Sequence, residues 1–389
     1  MPKKKILIAI HQLNIGGVQE SLFPVLDVFD YEKVDVTLYI RKNRIDLLPY
    51  VNPKVSKIVI NEDTNNYYRK PIVAIVELLS RFFNSIHLCK TYNHMQAWIR
   101  NKIIFYQHKY EYKHYFCHDQ GYDVAISLIQ GVTAKFVCDY IKANKKVMFF
   151  RDSTDSEHEI HEAIMPEFDT ICCVSDGAKK ALSKFYPKFA YKMTVIETFV
   201  STNLIIKKSN EYELKKEKLT FVTCGRITSV KGYDLAVNAA VILKKLGVTF
   251  IWYFVGDGIF RGKIESLIKE NEMEQYIVIT GLKTNPFPYI KLCDIYVQPS
   301  YEESFGRTIN EAIILKKPVV ATKTIGASDQ IVDKKNGVLT DISAEGIAKG
   351  IETLLNDQDL LSRIIDDISI NDYSQDFENY KQKWDALIS

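Results

Sequence analysis

The chain has 389 residues, of which 47% are hydrophobic and 25% charged, a composition typical of folded globular proteins. This length predicts two or three domains, and the composition excludes a disordered chain, a collagen-like repeat and a small disulfide-stapled module. With 51 basic and 48 acidic residues, the net charge of +3 gives no reason to expect nucleic-acid binding by bulk electrostatics.

Short apolar, β-branched runs alternate with longer helical patterns along the whole chain. We predict strands at residues 5–10, 34–40, 57–60, 124–128, 146–150 and 170–174, then a second series at 219–224, 249–255, 276–280, 295–298, 318–322 and 337–339. This alternation is typical of parallel sheets covered by helices on both faces. The predicted fold class is therefore α/β, with two doubly wound, Rossmann-like domains facing across a cleft.

A change in composition predicts the domain boundary. Residues 201–218 are polar and lysine-rich, with little to bury. They would separate an N-terminal domain at 1–200 from a second domain at 201–372. In the last segment, 373–389, Phe377, Tyr380 and Trp384 recur at helical intervals, which predicts a C-terminal helix that packs back toward the first domain.

The seven cysteines are odd in number and lack Cys-x-x-Cys spacing, which predicts buried, reduced thiols in a cytosolic protein. The apolar run at residues 6–10 is too short for a signal peptide, and no stretch approaches the roughly 20 apolar residues of a membrane span. Residues 81–118 contain six Lys or Arg, one acid and many aromatic side chains. They indicate either ordinary amphipathic helices or a surface for an anionic membrane. We therefore expect a cytoplasmic protein, either free or attached to the inner face of the cell membrane.

The loop after the predicted strand at 219–224 contains Gly225-Arg226 and Lys231-Gly232, just before a predicted helix. In doubly wound sheets, ligands bind at the carboxyl ends of the strands, where such loops meet. Two cations and the free amides of a helix N-terminus can surround a diphosphate. A solvated loop without a ligand is the alternative.

The loop after the predicted strand at 295–298 carries Glu303, then Ser304-Phe305-Gly306 and a helix that contains Glu311 about two turns in. A phosphate could meet the amides near Phe305 and Gly306 while each glutamate accepts hydrogen bonds from sugar hydroxyls. Ser304 could instead serve only as a helix N-cap. Together with the cationic loop, this segment favours a phosphate-sugar site.

Two glycine pairs are weaker signals. Gly256 and Gly258 partly imitate the dinucleotide-binding fingerprint, but Gly262 falls one residue too late, so a tight turn beside the ligand is the simpler interpretation. Gly16 and Gly17 precede a predicted helix in the first domain, where backbone could approach a ligand from the opposite side of the cleft.

No segment has the spacing of a metal site. His158 and His161 are three residues apart rather than four, in a polar stretch that we interpret as a solvated loop. Asp357 and Asp359 precede a helical pattern, which favours capping over metal binding. We expect no required metal.

Taken in order, the motifs resemble those of glycosyltransferase family 4, of the GT-B fold. The segment Asn285-Pro286-Phe287-Pro288-Tyr289-Ile290 brings to mind its bacterial surface-polysaccharide members. In the second half the motifs are Gly225-Arg226, Lys231-Gly232, Glu303-Ser304-Phe305-Gly306, Glu311-Ala312, Lys317-Pro318-Val319-Val320 and Asn336-Gly337. In the first half they are Gly16-Gly17, Phe168-Asp169, Val174-Ser175 and Tyr186-Pro187. The resemblance implies that Arg226 and Lys231 bind the diphosphate, that Glu311 contacts the ribose and that Glu303 lies near the reacting carbon of the sugar.

Three positions depart from the family pattern. Arg151-Asp152 stands where many relatives have a histidine, so these two residues are candidates for the acceptor side. Gln330 replaces a common glutamate, and Thr198-Phe199 replaces the usual step near the domain seam. These changes bear on the identity of the sugar and acceptor more than on the reaction class.

The resemblance implies a retaining, metal-independent transferase that moves a hexose or N-acetylhexosamine from a nucleotide-diphosphate sugar, with UDP favoured, to a lipid-linked or polysaccharide acceptor in bacterial surface glycan synthesis. It implies no cofactor other than this nucleotide-sugar co-substrate. Two alternatives stay open, a sugar-nucleotide epimerase of the same fold and a catalytically silent binding protein for glycans or nucleotide sugars. The donor sugar, the acceptor, the linkage and the oligomeric state are not fixed by the sequence.

Overall fold

The computed structural model describes residues 2–14, 21–61, 105, 108–119, 121–152, 158–370 and 377–389, and helices are numbered over these residues. The first sheet has the order β3-β2-β1-β4-β5-β6-β7, with every neighbouring pair parallel. Its strands are β1 Lys4–Ile10, β2 Val34–Ile40, β3 Lys57–Ile60, β4 Tyr122–Ser127, β5 Ala143–Phe150, β6 Thr170–Cys173 and β7 Met193–Val195.

The second sheet has the order β10-β9-β8-β11-β12-β13, again with every neighbouring pair parallel. Its strands are β8 Leu219–Cys224, β9 Phe250–Val255, β10 Ile277–Gly281, β11 Ile295–Gln298, β12 Val319–Thr322 and β13 Val338–Thr340. In each sheet the order reverses beside the first strand, at β1/β4 and β8/β11, which is where doubly wound sheets open a crevice for ligands.

Helices cover both faces of each sheet. In the first half they are α1 Leu22–Asp27, α2 Val132–Tyr140, α3 His158–Ile164 and α4 Asp176–Phe185, with a π-helical turn at Tyr112–Phe116. In the second half they are α5 Thr202–Ser209, α6 Tyr233–Lys245, α7 Arg261–Glu270, α8 Phe287–Leu292, α9 Arg307–Ile314, α10 Ile325–Gln330, α11 Ala344–Asn356 and α12 Gln358–Ile370, followed by α13 Phe377–Ile388.

Each sheet has an apolar core on both of its faces. The last helix, α13, belongs to a core of the first sheet although it follows the second sheet in the chain. There the Trp384 ring stacks on Phe149 with centroids 5.3 Å apart and meets Phe29 edge-on. An ion pair of 2.6 Å between Lys383 and Glu197 adds a polar contact to the chain just after β7. The apolar spacing of this segment therefore corresponds to a buried helix face.

The structure confirms each predicted strand within three residues and adds β7, which the sequence does not predict. Three other interpretations are wrong. Residues 201–218 are not uniformly polar and solvated, because they contain α5 with Ile205 buried against α8 and α9. Residues 158–164 form a helix rather than a loop, with His161 buried against the Phe150 ring. Cys117 is exposed, whereas we expected the thiols to be buried.

Candidate active site

The carboxyl edges of the two sheets meet at a direct contact between the domains. The Ser175 hydroxyl, which also caps α4, donates to the backbone carbonyl of Ser304 at 3.0 Å. The backbone N–H of Gly177, in the first turn of α4, donates to the Asp329 carboxylate on α10 at 2.9 Å. Phe305 packs against cores of both sheets. The loop after β11 is therefore held between the domains.

Backbone contacts join the loop after β8 to the loop after β11. The N–H of Tyr301 donates to the carbonyl of Val230 at 2.9 Å. Gly232 has φ +64°, and a Cβ atom there would lie 1.9 Å from the carbonyl oxygen of Pro299. Only glycine allows this approach without strain. This approach brings the end of the loop after β8, which contains Lys231, against the loop after β11, which contains Glu303.

Lys231 and Glu303 form an ion pair where these loops meet. The Lys231 ammonium lies 2.6 Å from Oε2 of Glu303, and the two side chains are 27% and 14% exposed. The structure thus brings together two residues that are 72 positions apart in the sequence. Arg226 lies in the same loop as Lys231 and is exposed to solvent. A cation, a carboxylate and a second, exposed cation therefore border the crevice at β8/β11.

Helix α9 begins beside this pair, and its N-cap is Gly306 in the left-handed conformation, without a side-chain cap. The interpretation of Ser304 as an N-cap is therefore wrong. The amides of an uncapped first turn can bind an anion. Within α9, Arg307 pairs with Glu311 at 2.9 Å, so the Glu311 carboxylate is enclosed under this guanidinium, with 5% of its side chain exposed.

The glycine turn after β9 supports the loop after β8. A Cβ atom on Gly256 would lie 1.9 Å from the carbonyl oxygen of Gly225, and one on Gly258 would lie 2.3 Å from that of Ile227. Asp257 pairs with Arg261 at 2.8 Å. Close loop packing thus explains these glycines without a dinucleotide, in line with the interpretation as a tight turn.

On the first domain, Arg151 and Asp152 follow β5 at the carboxyl edge of the sheet. Arg151 donates from Nε to the carbonyl of Leu128 at 2.7 Å, and its backbone N–H donates to Gln130 at 3.1 Å. Burial lowers the pKa of the Arg151 guanidinium to about 10, and the positive charge of Arg307 across the cleft acts in the same direction. Asp152 is exposed and accepts a hydrogen bond from the Gln130 amide. Arg307, the first residue of α9, is therefore near enough to Arg151 for the two charges to interact.

Sequence reasoning missed His11 and Arg307 at these edges, and it noted Gln330 without its contacts. His11 follows β1 at the switch point, and burial, with Lys42 and Arg41 nearby, lowers its pKa to about 4. Arg307 was detectable as a partner of Glu311 four residues later in a helix. Gln330 donates its amide to the carbonyl oxygens of Phe305 and Gly306. A glutamate at this position could not donate there when ionised, so the exchange noted in the sequence matches the local backbone.

Some predicted sites lie outside the described residues. These are Gly16, Gly17 and most of the segment 81–118, apart from residues 105 and 108–118. Within the described ranges, no three His, Cys, Asp or Glu side chains are grouped so that they could hold a metal ion. No helix in the same ranges is long and apolar enough to cross a bilayer. Asp357 accepts from the Leu360 N–H at 2.8 Å, as expected of a helix cap.

Comparison with known proteins gives the family of this site. Residues 205–368, which contain both loops and α9, match the family model described as glycosyl transferases group 1. This segment, residues 205–368, is a glycosyl transferases group 1 domain. Among curated glycosyltransferases, the chain is similar to the lipopolysaccharide core biosynthesis glycosyltransferase LpsE of Rhizobium meliloti, with 25% identity over 50% of this chain and 56% of that protein.

A second relative is the N-acetylgalactosamine-N,N'-diacetylbacillosaminyl-diphospho-undecaprenol 4-alpha-N-acetylgalactosaminyltransferase of Campylobacter jejuni. It is 25% identical over 51% of this chain and 53% of its own length. The chain thus spans about half the length of these two curated relatives, with alignments of 198 and 199 residues.

Solved structures of glycosyltransferases show the fold over nearly the whole chain. Anabaena HepE in complex with UDP superimposes with a TM-score of 0.69 at 16% identity, covering 99% of both chains. A point mutant of Staphylococcus aureus TarM, in complex with Fondaparinux, alpha-GlcNAc-glycerol and UDP, gives 0.66 at 15% identity, covering 99% of this chain and 100% of that one. The predicted fold of two Rossmann-like domains, GT-B, is confirmed.

Proposed function

We propose that this protein is a retaining glycosyltransferase that moves a hexose or N-acetylhexosamine from a UDP-sugar to a lipid-linked or polysaccharide acceptor in bacterial surface glycan synthesis. The observation that carries the proposal is the Lys231–Glu303 pair of 2.6 Å, held beside the uncapped N-terminus of α9. These groups suit a diphosphate with a sugar attached. The named activities of the LpsE and Campylobacter relatives, and the UDP bound to HepE, support the substrate class.

In the proposed complex, the diphosphate lies between the cationic loop and the first turn of α9. Arg226 is exposed and can contact phosphate oxygens. The Lys231 ammonium has three N–H donors, so it can contact a phosphate while it keeps its contact with Glu303. Glu311 would contact the ribose after the Arg307 side chain turns away from it. Arg151 and Asp152 would face the acceptor.

The proposed reaction is a front-face substitution at the anomeric carbon of the sugar. The bond from this carbon to the diphosphate oxygen breaks, and its electron pair stays on that oxygen. The acceptor hydroxyl oxygen bonds to the carbon on the same face, and its proton passes to the departing diphosphate oxygen. Arg226, Lys231 and the α9 amides stabilise the charge that develops on the diphosphate. Glu303 orients the sugar, and we assign no covalent nucleophile.

Substitutions of the paired residues test this proposal. Lys231→Met and Glu303→Gln should each lower kcat/KM by about 100-fold or more, because each removes a charged contact made in the transition state. Lys269→Met and Glu270→Gln, at exposed positions on α7, are matched controls that should retain activity. The assay is transfer from UDP-sugars to lipid-linked acceptors, with melting curves to check folding. Full activity in both site variants would refute the proposed site.

The stereochemistry, the metal requirement and the two alternative functions are each tested by a separate measurement. Retention predicts that the product has the same anomeric configuration as the donor, which proton NMR of the new linkage measures. Metal independence predicts equal rates in EDTA and in Mg²⁺. Incubation with donor alone tests the epimerase alternative, because an epimerised sugar nucleotide without acceptor would favour it. Saturable binding without turnover across a broad substrate panel would favour a silent binding protein.

Attachment to an anionic membrane through residues 81–118 is a separate part of the proposal. Its support is the sequence composition, with six Lys or Arg and one acid among many aromatic residues. Sedimentation with phosphatidylglycerol vesicles at low salt tests it. Equal recovery with phosphatidylcholine vesicles would remove this part and leave the transferase proposal intact.

A further inference from the structure

Gln298 ends strand β11 directly beneath Glu303 and is 3% exposed. Its amide nitrogen lies 3.2 Å from Oε2 of Glu303 and 2.8 Å from the Ser300 hydroxyl. Its amide oxygen accepts from the hydroxyls of Tyr296 and Thr308, each at 2.9 Å. This side chain therefore connects the strand, the first turn of α9 and the carboxylate at the site.

The chemistry of the partners fixes the orientation of this amide. An ionised carboxylate only accepts hydrogen bonds, so the nitrogen of Gln298, and not its oxygen, must face Glu303. The oxygen then faces Tyr296 and Thr308, whose hydroxyls donate to it. A flipped amide would place two acceptors against each other at Glu303 inside a buried network, which is costly. The network thus has one favoured direction of donation, from the hydroxyls through Gln298 to the carboxylate.

In the described part of the chain, the hydrogen bonds to the Glu303 carboxylate converge on one of its two oxygens. Oε2 receives the Lys231 ammonium at 2.6 Å, the Gln298 amide at 3.2 Å and the Ser300 hydroxyl at 3.4 Å. Oε1 has no hydrogen-bond donor among the side chains that the structure describes around it, and the Glu303 side chain is 14% exposed. The carboxylate is anchored on one side and has an acceptor left for a ligand on the other.

We propose that Gln298 is a positioning residue that anchors Oε2 of Glu303, so that Oε1 is presented to a hydroxyl group of the donor sugar. This inference rests on the proposed function. Gln298 itself does not touch the substrate. It acts through Glu303, and Thr308 acts one step further back by holding the Gln298 oxygen. The same contacts couple the start of α9 to the position of the carboxylate.

The test is a double-mutant cycle with Gln298→Met, which keeps the length of the side chain but removes its hydrogen bonds. We expect kcat/KM to fall by about 10- to 100-fold, as for the loss of a hydrogen bond to a charged group, while UDP affinity changes less than about threefold. In a Glu303→Gln background, Gln298→Met should cause little further loss, because the residue through which it acts is already altered. Thr308→Val should give a smaller loss with the same dependence on Glu303.

A second buried hydroxyl provides the matched control. Thr223 on β8 is 2% exposed, donates to the Val297 carbonyl at 2.8 Å and accepts from Trp252, so Thr223→Val removes buried hydrogen bonds without touching Glu303. It should lower the melting temperature and leave kcat/KM within about threefold of the wild type. A fall in activity equal to that of Gln298→Met would assign the effect to stability and overturn the proposal.

Calorimetry gives a readout that does not need turnover. The wild type should bind UDP-N-acetylglucosamine or UDP-glucose more tightly than UDP, and Gln298→Met should reduce this difference by about tenfold. If Gln298→Met leaves the affinity difference between the UDP-sugar and UDP unchanged, the role of Gln298 is refuted. The same holds if its effect is equal in the wild-type and Glu303→Gln backgrounds. Either result leaves the proposed function intact. Failure of the wild type to bind any UDP compound would instead refute the proposed function, and this inference with it.

Discussion

His108 is a buried histidine whose surroundings disfavour the charged ring. It is fully buried between Phe136 and Tyr140, and neither ring nitrogen has a hydrogen-bond partner in the described part of the chain. Burial, with Arg41 and Lys135 nearby, lowers the pKa of His108 to about 3. In the unfolded chain a histidine titrates near pH 6.5. The unfolded chain therefore binds more protons between these values, so stability falls as the pH falls from about 6.5 toward 3.

His108→Phe keeps an aromatic ring in place and removes this titration. Between pH 7 and pH 5, the wild type should lose about 2 kcal/mol more free energy of unfolding than the variant. Urea denaturation at the two pH values measures the difference. Phe250→Leu, at a fully buried position in a core of the second sheet, serves as a packing control, because it should lower stability equally at both values. If the wild type and His108→Phe lose the same free energy of unfolding between pH 7 and pH 5, the account of His108 as a neutral, buried histidine is wrong.

Single residues also show which parts of the site could be predicted from the sequence. Lys231, Glu303 and Glu311 could be selected because their type and their position after strands suit a sugar phosphate. Their pairing could not be selected, since Lys231 and Glu303 are 72 residues apart and Glu311 pairs instead with Arg307. Gln298 escaped notice because its last position in an apolar strand suggests only packing. Its role depends on where four other polar groups point.

At the scale of elements, apolar strands of both sheets were predictable because they are continuous β-branched runs between polar loops. Strand β7 was not, since it has only the three residues Met193–Val195 and follows a turn of 3-10 helix at Pro187–Lys192. Helix α5 was masked by the lysines in and around it, and its buried side is small, because Ile205 is buried while Leu204 and Ile206 are exposed. Short elements carry too few residues for a periodic pattern, and tertiary packing decides their state.

Gly232 joins two elements of the site, since its positive φ and lack of a side chain let α6 begin directly against Pro299. Gly232→Ala should lower the free energy of unfolding by about 3 kcal/mol, from the left-handed backbone and the clash together. It should also lower activity, because Lys231 is the preceding residue. Gly262→Ala on α7 is the matched control, with no atom within 4 Å of the new Cβ. It should leave stability unchanged or slightly raised. Equal effects of the two variants in urea denaturation would contradict this account.

At the scale of the whole molecule, α13 follows the second domain in the sequence but packs into a core of the first sheet. Trp384 is fully buried in a core of the first sheet, where it contacts Phe149, Phe29 and Tyr380. Trp384→Ala should therefore lower the free energy of unfolding by about 3–5 kcal/mol, as for other large cavities in cores. Ile370→Ala, at a position that is 82% exposed, should change it by less than about 0.5 kcal/mol. Chemical denaturation followed by tryptophan fluorescence measures both, and a tolerant Trp384→Ala would show that α13 is dispensable.

The location of α13 has a mechanical consequence. The chain passes from the first sheet to the second after β7, and it returns after α12, whose buried side chains belong to cores of the second sheet. The domains are therefore joined twice along the chain, once after β7 and once between α12 and α13. Because Trp384 is buried in a core of the first sheet, any separation of Ser175 from Ser304 that leaves α13 in place has to keep both connections.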